Sequence, residues 1–202
     1  IFITKKFNPH STFSNKPLSN NLTHTVKFYD EKTFLDGVYK AKSNFAKPDY
    51  SFRGGIVPHH LFVSFIIADF FHRLSIQNPS TIILLGPNHY EKGNFEALTG
   101  LYNWDTAFGI VKPDGNLTRI LIDKKLVTID EETLRDDHSL SALMPFIKYY
   151  MPNAKVVPIL LSKRFSKEKS EVLADNLSKL LKEDIVIVAS VDFSHYLTSN
   201  QA

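Results

Sequence analysis

The fold is decided by residues 81–90, which read TIILLGPNHY. Five apolar or β-branched residues run from Thr81 to Leu85 without interruption, and Gly86-Pro87 ends the run. An unbroken run of this kind is typical of a strand buried on both faces, as in a parallel sheet covered by helices. We expect this strand, and a similar one at residues 185–189, in the interior of the sheet. His89 follows the turn, which places an imidazole at the carboxyl edge, where open α/β sheets bind their ligands.

Two further apolar strands are followed by histidine. Gly54–Val57 leads to His59, and Ile185–Ser190 leads to His195. Because the carboxyl ends of parallel strands meet at one edge of a sheet, we expect His59, His89 and His195 to surround one cavity. His59 and His89 are expected to lie close enough to share a metal ion, whose bonds to imidazole nitrogen are about 2.0–2.1 Å long.

The composition limits the classes of protein that this chain can represent. With 202 residues, 43% of them hydrophobic and 22% charged, the chain fits one globular domain. A net charge of +3 without a basic stripe or aromatic platforms argues against nucleic-acid binding. Cysteine is absent, which excludes disulfides and thiolate ligands from this chain, and no run of 18 apolar residues predicts a membrane span. The chain begins with Ile1, so a removed N-terminal signal or anchor is one expectation beside a cytoplasmic location.

The alternation of predicted strands and helices indicates a three-layer α/β fold, with a mostly parallel or mixed sheet and helices on both faces. Residues 1–24 are rich in Asn, Ser, Thr and Lys and are predicted to be a poorly structured arm, whereas residues 102–106 are predicted to be a loop. Pro158, in the predicted strand 155–161, argues for a bulge or for a neighbouring strand on one side only. Helices are predicted over residues 33–42, 62–74, 117–124, 140–149 and 166–181.

Several short motifs along the chain resemble, in the same order, those of one protein family. They are Val26-Lys27-Phe28-Tyr29, Pro58-His59, Leu85-Gly86-Pro87-Asn88-His89, Asp137-His138-Ser139-Leu140 with Pro145-Phe146, and Ala189–Tyr196. The family is the Memo family, known in microbes as AmmeMemoRadiSam system protein B. It is similar in fold to the class III extradiol dioxygenases, which are non-haem iron enzymes.

The resemblance implies a single Memo-like α/β domain over residues 25–202, without its C-terminal part. It also implies a pocket for a divalent transition metal, iron or copper, with His59 and His89 as the metal ligands. Neutral imidazoles suit such metals independently of the resemblance. The family has an aspartate and a histidine in its pocket, and Asp192 and His195 stand at the matching positions. His138 stands at the histidine of the family's His-Ser-Leu motif. These three residues are the candidates for catalytic proton transfer.

The chain departs from the family pattern at three places. His60-Leu61-Phe62 stands where the family has Ala-Gly-Tyr, and Ser141 stands where it has an acidic residue. The family supplies a late cysteine as third metal ligand, and the dioxygenases a glutamate, but the sequence stops at Ala202. Because an anionic ligand contributes much of the affinity for a divalent cation, we expect weak or absent metal binding in this form unless Asp192 takes that place.

More than one function is compatible with these residues. The first hypothesis is a metal-dependent oxidoreductase with dioxygenase-like chemistry on an unknown small molecule or peptide. The alternative is a non-catalytic metal- or partner-binding protein on the same scaffold, since a fold does not fix its chemistry. A metal-dependent hydrolase is a weaker third hypothesis. The family name implies radical SAM and AMMECR-type proteins as partners. Structural roles stand beside these, with Asp192 capping a turn and His138 packing its helix.

Overall fold

Within the described residues, the stretch at residues 81–90 supplies an interior strand of a nine-stranded sheet. The computed structural model describes residues 22–43, 45–49 and 51–193. The strands are β1 (Thr23–Thr25), β2 (Gly54–Pro58), β3 (Thr81–Pro87), β4 (Ala97–Thr99), β5 (Asn103–Thr106), β6 (Gly109–Pro113), β7 (Thr128–Ile129), β8 (Lys155–Leu161) and β9 (Ile185–Val191). The helices are α1 (Glu31–Ser43), α2 (Ser64–Ser75), α3 (Gly115–Asp123), α4 (Glu131–Asp136), α5 (His138–Ser141), α6 (Met144–Tyr150) and α7 (Lys167–Ser178), and a 3-10 turn spans Leu61–Val63.

Both predicted interior strands lie inside the sheet. The main path is β1-β5-β6-β8-β3-β9-β2, and β3 runs parallel to β8 on one side and to β9 on the other. Ile82, Ile83 and Leu84 are fully buried, whereas Leu85 is half-buried at the end that faces the histidines. β9 lies between β3 and β2 and is parallel to both. The prediction of two interior strands is confirmed.

Helices cover both faces of the sheet, so the predicted three-layer α/β fold is confirmed. On one face the apolar sides of α1, α2, α5 and α6 form the larger core, which includes Phe34, Phe71 and Phe146. On the other face, α3 and α7 contribute Leu121 and Leu173 to a smaller core. Within the described residues, no helix is long and apolar enough to cross a membrane.

Pro158 has a neighbouring strand on one side only, as predicted. β3 pairs with the whole of β8, whereas on the other side β6 pairs with Lys155 and Val156 and β4 pairs with residues 159–161. Pro158 falls between these two partial neighbours, where its missing N–H breaks no ladder. Its carbonyl accepts a hydrogen bond from Thr99 Oγ1 at 2.7 Å.

The predicted loop at residues 102–106 was wrong, because most of it forms β5 between β1 and β6. Trp104 is buried, and its ring lies 4.7 Å from that of His24. Trp104 is the one aromatic residue of β5, and its sequence neighbours are polar. The sequence therefore lacks the repeated apolar residues that predict a strand. β1 lies across the predicted boundary at residue 24, and residues 1–21 lie outside the described part.

The segment predicted as one helix over residues 140–149 is divided in two. α5 ends at Ser141 and α6 begins at Met144, with Pro145 in its first turn. Proline is tolerated there because its N–H would have no partner within the helix. The short α5 is therefore a separate element that begins at His138.

Gly86 is required by the close approach of α5 to β3. A Cβ on Gly86 would lie 2.6 Å from Ser139 Oγ and 2.7 Å from Leu140 Cδ2. Because the Ser139 hydroxyl is fixed by donating to the Pro87 carbonyl at 2.9 Å, Gly86→Ala should push α5 away. We expect Gly86→Ala to lower the free energy of unfolding by about 1–2 kcal/mol in urea denaturation.

Gly115→Ala is the matched control for this prediction. A Cβ at Gly115 would meet no atom closer than 3.6 Å, which is ordinary van der Waals contact. Its effect should therefore stay below about 1 kcal/mol, and alanine in the first turn of α3 favours the helix. Equal losses of the free energy of unfolding in Gly86→Ala and Gly115→Ala would contradict the close approach of α5 at Gly86.

Candidate metal centre

Three histidine side chains meet at the carboxyl edge of the sheet. His59 follows β2, His89 follows β3 and His138 begins α5. The ring centroids are 5.1 Å apart for His59 and His89, 5.3 Å for His59 and His138, and 4.1 Å for His89 and His138. One nitrogen from each ring lies within 4.8 Å of the other two, a spacing that could hold a metal ion. The structure thus brings His59 and His89 together, adds His138, and leaves His195 outside the described residues.

The hydrogen bonds around His59 determine which ring nitrogen carries the proton. Nδ1 lies 2.9 Å from Ser190 Oγ, and this hydroxyl donates to the Ser139 carbonyl at 2.6 Å. A serine hydroxyl has one proton, so Ser190 Oγ must accept its second bond from Nδ1–H. Burial lowers the pKa of His59 to about 4, which keeps the ring neutral at pH 7. The lone pair of His59 therefore lies on Nε2.

Asp137 holds His89 in a corresponding way. This buried carboxylate accepts hydrogen bonds from the backbone N–H groups of His89 and Ser139, both at 2.8 Å. Its Oδ1 also lies 3.3 Å from His89 Nδ1. Because a carboxylate only accepts, this contact favours a proton on Nδ1 when a cation binds Nε2, whereas without a cation the 3.0 Å hydrogen bond to Asp192 Oδ2 requires a proton on Nε2. Carboxylates that orient histidines in this way are common behind metal ligands.

Asp192 lies against the Nε2 atoms of both histidines. Its Oδ1 is 3.1 Å from His59 Nε2, and its Oδ2 is 3.0 Å from His89 Nε2. The first contact lacks the geometry of a hydrogen bond, and the buried His59 Nε2 has no hydrogen-bond partner among the described residues. A lone pair facing a carboxylate is unfavourable unless a cation lies between them. The separations of about 3 Å match those between ligands of one ion with bonds near 2.0–2.2 Å, so these groups fit a metal.

His138 completes the cluster. Its ring stacks on His89 with an interplanar angle of 24°, and the Phe28 ring lies 5.1 Å away. Burial is the main cause that lowers the pKa of His138, and the nearby His89 lowers it further. The lowered pKa favours a neutral imidazole. Its Nδ1 is buried and has no hydrogen-bond partner in the described part of the chain. His138 therefore offers a further nitrogen to a metal or to a proton.

The other described histidines lie in different surroundings. His24 is buried in β1, with Nε2 at 2.8 Å from Glu131 Oε2. His60 is exposed and accepts a hydrogen bond from the Phe62 N–H at the start of the 3-10 turn. His72 stacks on Phe45 with ring centroids 3.9 Å apart. Each of these three histidines lies away from the Asp192 carboxylate that His59 and His89 share.

A cavity of about 620 Å³ opens beside His89 and Asp192 at the ends of β3, β8 and β9. Leu85, Leu161 and Val191 are among its apolar lining residues. Its volume is in the range of cavities that take small molecules. A substrate in this cavity would lie next to the candidate metal ligands.

Asp137 was not singled out in the sequence, although its position directly before His138 at a helix start was a signal. It caps α5 and orients His89 at once. Asparagine also caps helices well but cannot accept from all three donors. We expect Asp137→Asn to weaken metal binding about tenfold with a small change in melting temperature.

The neighbouring Asp136→Asn is the control. Asp136 lies at the surface, where Arg135 and Lys92 contact its carboxylate. Loss of the Asp136 carboxylate should leave the dissociation constant of the metal within twofold of the wild-type value in calorimetric titration. If both variants behaved alike, Asp137 would have no specific role at the metal centre.

Comparison with known proteins identifies the family. The model of the Memo-like protein family matches residues 24–201. A protein named MEMO1 family protein from Sulfolobus acidocaldarius is 32% identical over 157 residues, which is 74% of this chain and 55% of that protein. A protein of the same name from Sulfurisphaera tokodaii is 32% identical over 150 residues, 70% of this chain and 52% of its own. This chain spans about half the length of these relatives. It belongs to the Memo-like family.

Proposed function

We propose that this Memo-like protein binds a divalent transition metal, iron or copper, through Nε2 of His59, Nε2 of His89 and the carboxylate of Asp192. The observation that carries the proposal is the position of one carboxylate at 3.0–3.1 Å from both Nε2 atoms. Two histidines and one carboxylate suit a non-haem iron and leave coordination positions open for substrate. The general order in which divalent metals bind a given protein site favours copper instead. Asp192 thus supplies the anionic ligand that the late cysteine or glutamate provides in the related families.

We further propose redox chemistry similar to that of the dioxygenases, on a small molecule held in the cavity. The bound metal would supply the one-electron chemistry. The chain's own residues would orient the site: Asp137 and Ser190 fix the two ring orientations, and the apolar lining of the cavity would contact the substrate. His138, with its lowered pKa, is placed to accept a proton, and His195 remains a proposed proton donor or acceptor.

Binding without turnover is the second candidate function. Its support is two exposed aromatic side chains that directly follow site residues, Tyr90 after His89 and Phe193 after Asp192, at 52% and 56% exposure. Exposed apolar patches of this kind mark interaction surfaces in many proteins. Radical SAM and AMMECR-type proteins remain the proposed partners, on the strength of the family resemblance alone.

Anaerobic purification, elemental analysis and calorimetric titration with Fe(II) and with Cu(II) would test the metal site. We expect a single ion per chain, and we expect His89→Ala to weaken binding at least a hundredfold. His72→Gln, which removes an imidazole outside the cluster, should stay within twofold of the wild type. Equal affinities in all three proteins would refute the proposed ligands. Oxygen consumption by the metal-loaded protein would then separate an oxidoreductase from a metal-binding protein.

A further inference from the structure

A second apolar groove lies beside the smaller core, between α7 and residues 125–128. It has a volume of about 300 Å³ and shares no lining residue with the cavity beside His89. Three buried side chains line it, and they are Ala97, Val127 and Leu173. Phe95 and Val172 also line it but are 56% and 54% exposed. A groove with apolar walls and exposed apolar side chains at its rim is typical of a surface that binds another group.

The described part of the chain begins near this groove. The Leu22 carbonyl accepts a hydrogen bond from the Asn103 N–H at 3.0 Å. Asn103 lies six residues after Ala97, and six residues span at most about 22 Å, to which the spacing between two strands adds about 5 Å. Phe13 is the first aromatic residue before Leu22, and the nine residues between these positions reach about 30 Å when extended. The Phe13 ring can therefore reach the groove.

The charges of residues 1–21 are opposite to those along this path. This segment contains no acidic residue, and its three lysines are Lys5, Lys6 and Lys16. The acidic run 130–132 directly follows β7, between the groove and the start of β1. Glu131 Oε2 lies 2.8 Å from His24 Nε2 of β1, and the Glu132 side chain is 82% exposed. Opposite charges of this kind favour the approach of the segment to this side of the molecule.

We propose that the groove is the docking site of residues 1–21 of the same chain, with the Phe13 ring packed against Phe95 and Phe165. Both of these residues line the groove, and aromatic rings gain from contact with each other beyond the burial of their surface. Because the segment is attached to the body, its effective concentration is high, so a contact too weak for a separate peptide is populated. The segment precedes the match to the family model, which covers residues 24–201, so this contact is a feature of this chain. It does not rest on the proposed metal site.

Disulfide formation can test the contact, because the chain contains no cysteine of its own. The substitutions Ser14→Cys and Val172→Cys, made together in the full chain, place one thiol beside Phe13 and the other at the rim of the groove. Two cysteines form a disulfide only when their Cα atoms approach within about 7 Å. We expect Phe13→Ser, added to this pair, to slow formation of the intramolecular disulfide in glutathione buffer at least tenfold. Phe7→Ser is the matched control and should leave the rate within twofold.

Methyl resonances measured by NMR give a second test in chains without cysteine. An aromatic ring in the groove changes the chemical shifts of the methyl groups that line it, which include those of Leu126, Val127 and Leu173. We expect Phe13→Ser to move these three sets of resonances and Phe7→Ser to leave them in place.

Three results would overturn the proposal. The first is an equal rate of disulfide formation with and without Phe13. The second is a set of groove resonances that Phe13→Ser does not move. The third is a disulfide that forms mainly between two chains, since the groove would then be filled by a second copy rather than by the chain's own N-terminal segment.

Discussion

Replacement of Asp192 by asparagine is expected to lower the affinity for a divalent transition metal at least a hundredfold, or about 2.7 kcal/mol. Asparagine keeps the shape of the side chain but removes the negative charge that touches both Nε2 atoms. Two neutral imidazoles bring no charge to the cation, so this carboxylate should contribute a large part of the binding free energy. Anaerobic calorimetric titration would measure the change.

The same substitution should not destabilise the metal-free protein. Without a cation, the lone pair of His59 faces a carboxylate oxygen at 3.1 Å, whereas the amide of asparagine can donate a hydrogen bond to it. We therefore expect the free energy of unfolding in chelator to stay equal or to rise by up to about 1 kcal/mol. Asp123→Asn, on the surface of α3, makes the same charge change elsewhere and should affect neither quantity. A clear loss of stability with unchanged metal affinity would assign Asp192 a structural role instead.

The convergence of His59 and His89 could be predicted because it follows from a rule about sheets. Each residue comes directly after an apolar strand, and parallel strands bring their carboxyl ends to one edge. The interior position of β3 could be predicted for a similar reason, since a strand with both faces covered needs apolar side chains on both. The motif resemblance then selected Asp192, which the structure places against both rings.

The residues that orient the two rings could not be predicted in this way. Ser190 meets His59 across 131 positions of sequence, and Asp137 meets His89 across 48. A serine within an apolar strand and an aspartate before a helix have ordinary local explanations, so their local sequence does not show which histidine each one contacts. Trp104 shows the same limit for the fold, because its strand is defined by β1 and β6 rather than by its own polar neighbours.

The metal-free protein is expected to lose about 2 kcal/mol of stability from His59 alone when the pH falls from 7.5 to 5. Burial holds the pKa of His59 at about 4 in the folded protein, against 6.5 for an ordinary histidine. Between these values the unfolded chain binds a proton that the folded chain does not. Protonation therefore favours unfolding, and stability falls as the pH drops from above 6.5 towards 4. Urea denaturation in the presence of a chelator, at several pH values, would measure this slope.

A His59→Asn variant isolates the contribution of this one ring. Asparagine does not titrate, and its Nδ2 stands at the position of His59 Nδ1, so it can still donate to Ser190 Oγ. Protonation of Asp192, Asp137 and the surface carboxylates affects both proteins, so their difference in slope between pH 7.5 and pH 5 belongs to His59. We expect the variant to show a slope that is smaller by about 2 kcal/mol over this interval. Parallel curves would mean that the His59 ring titrates near 6.5 in the folded protein, and its Nε2 would then carry a proton, rather than a free lone pair, in mildly acidic solution.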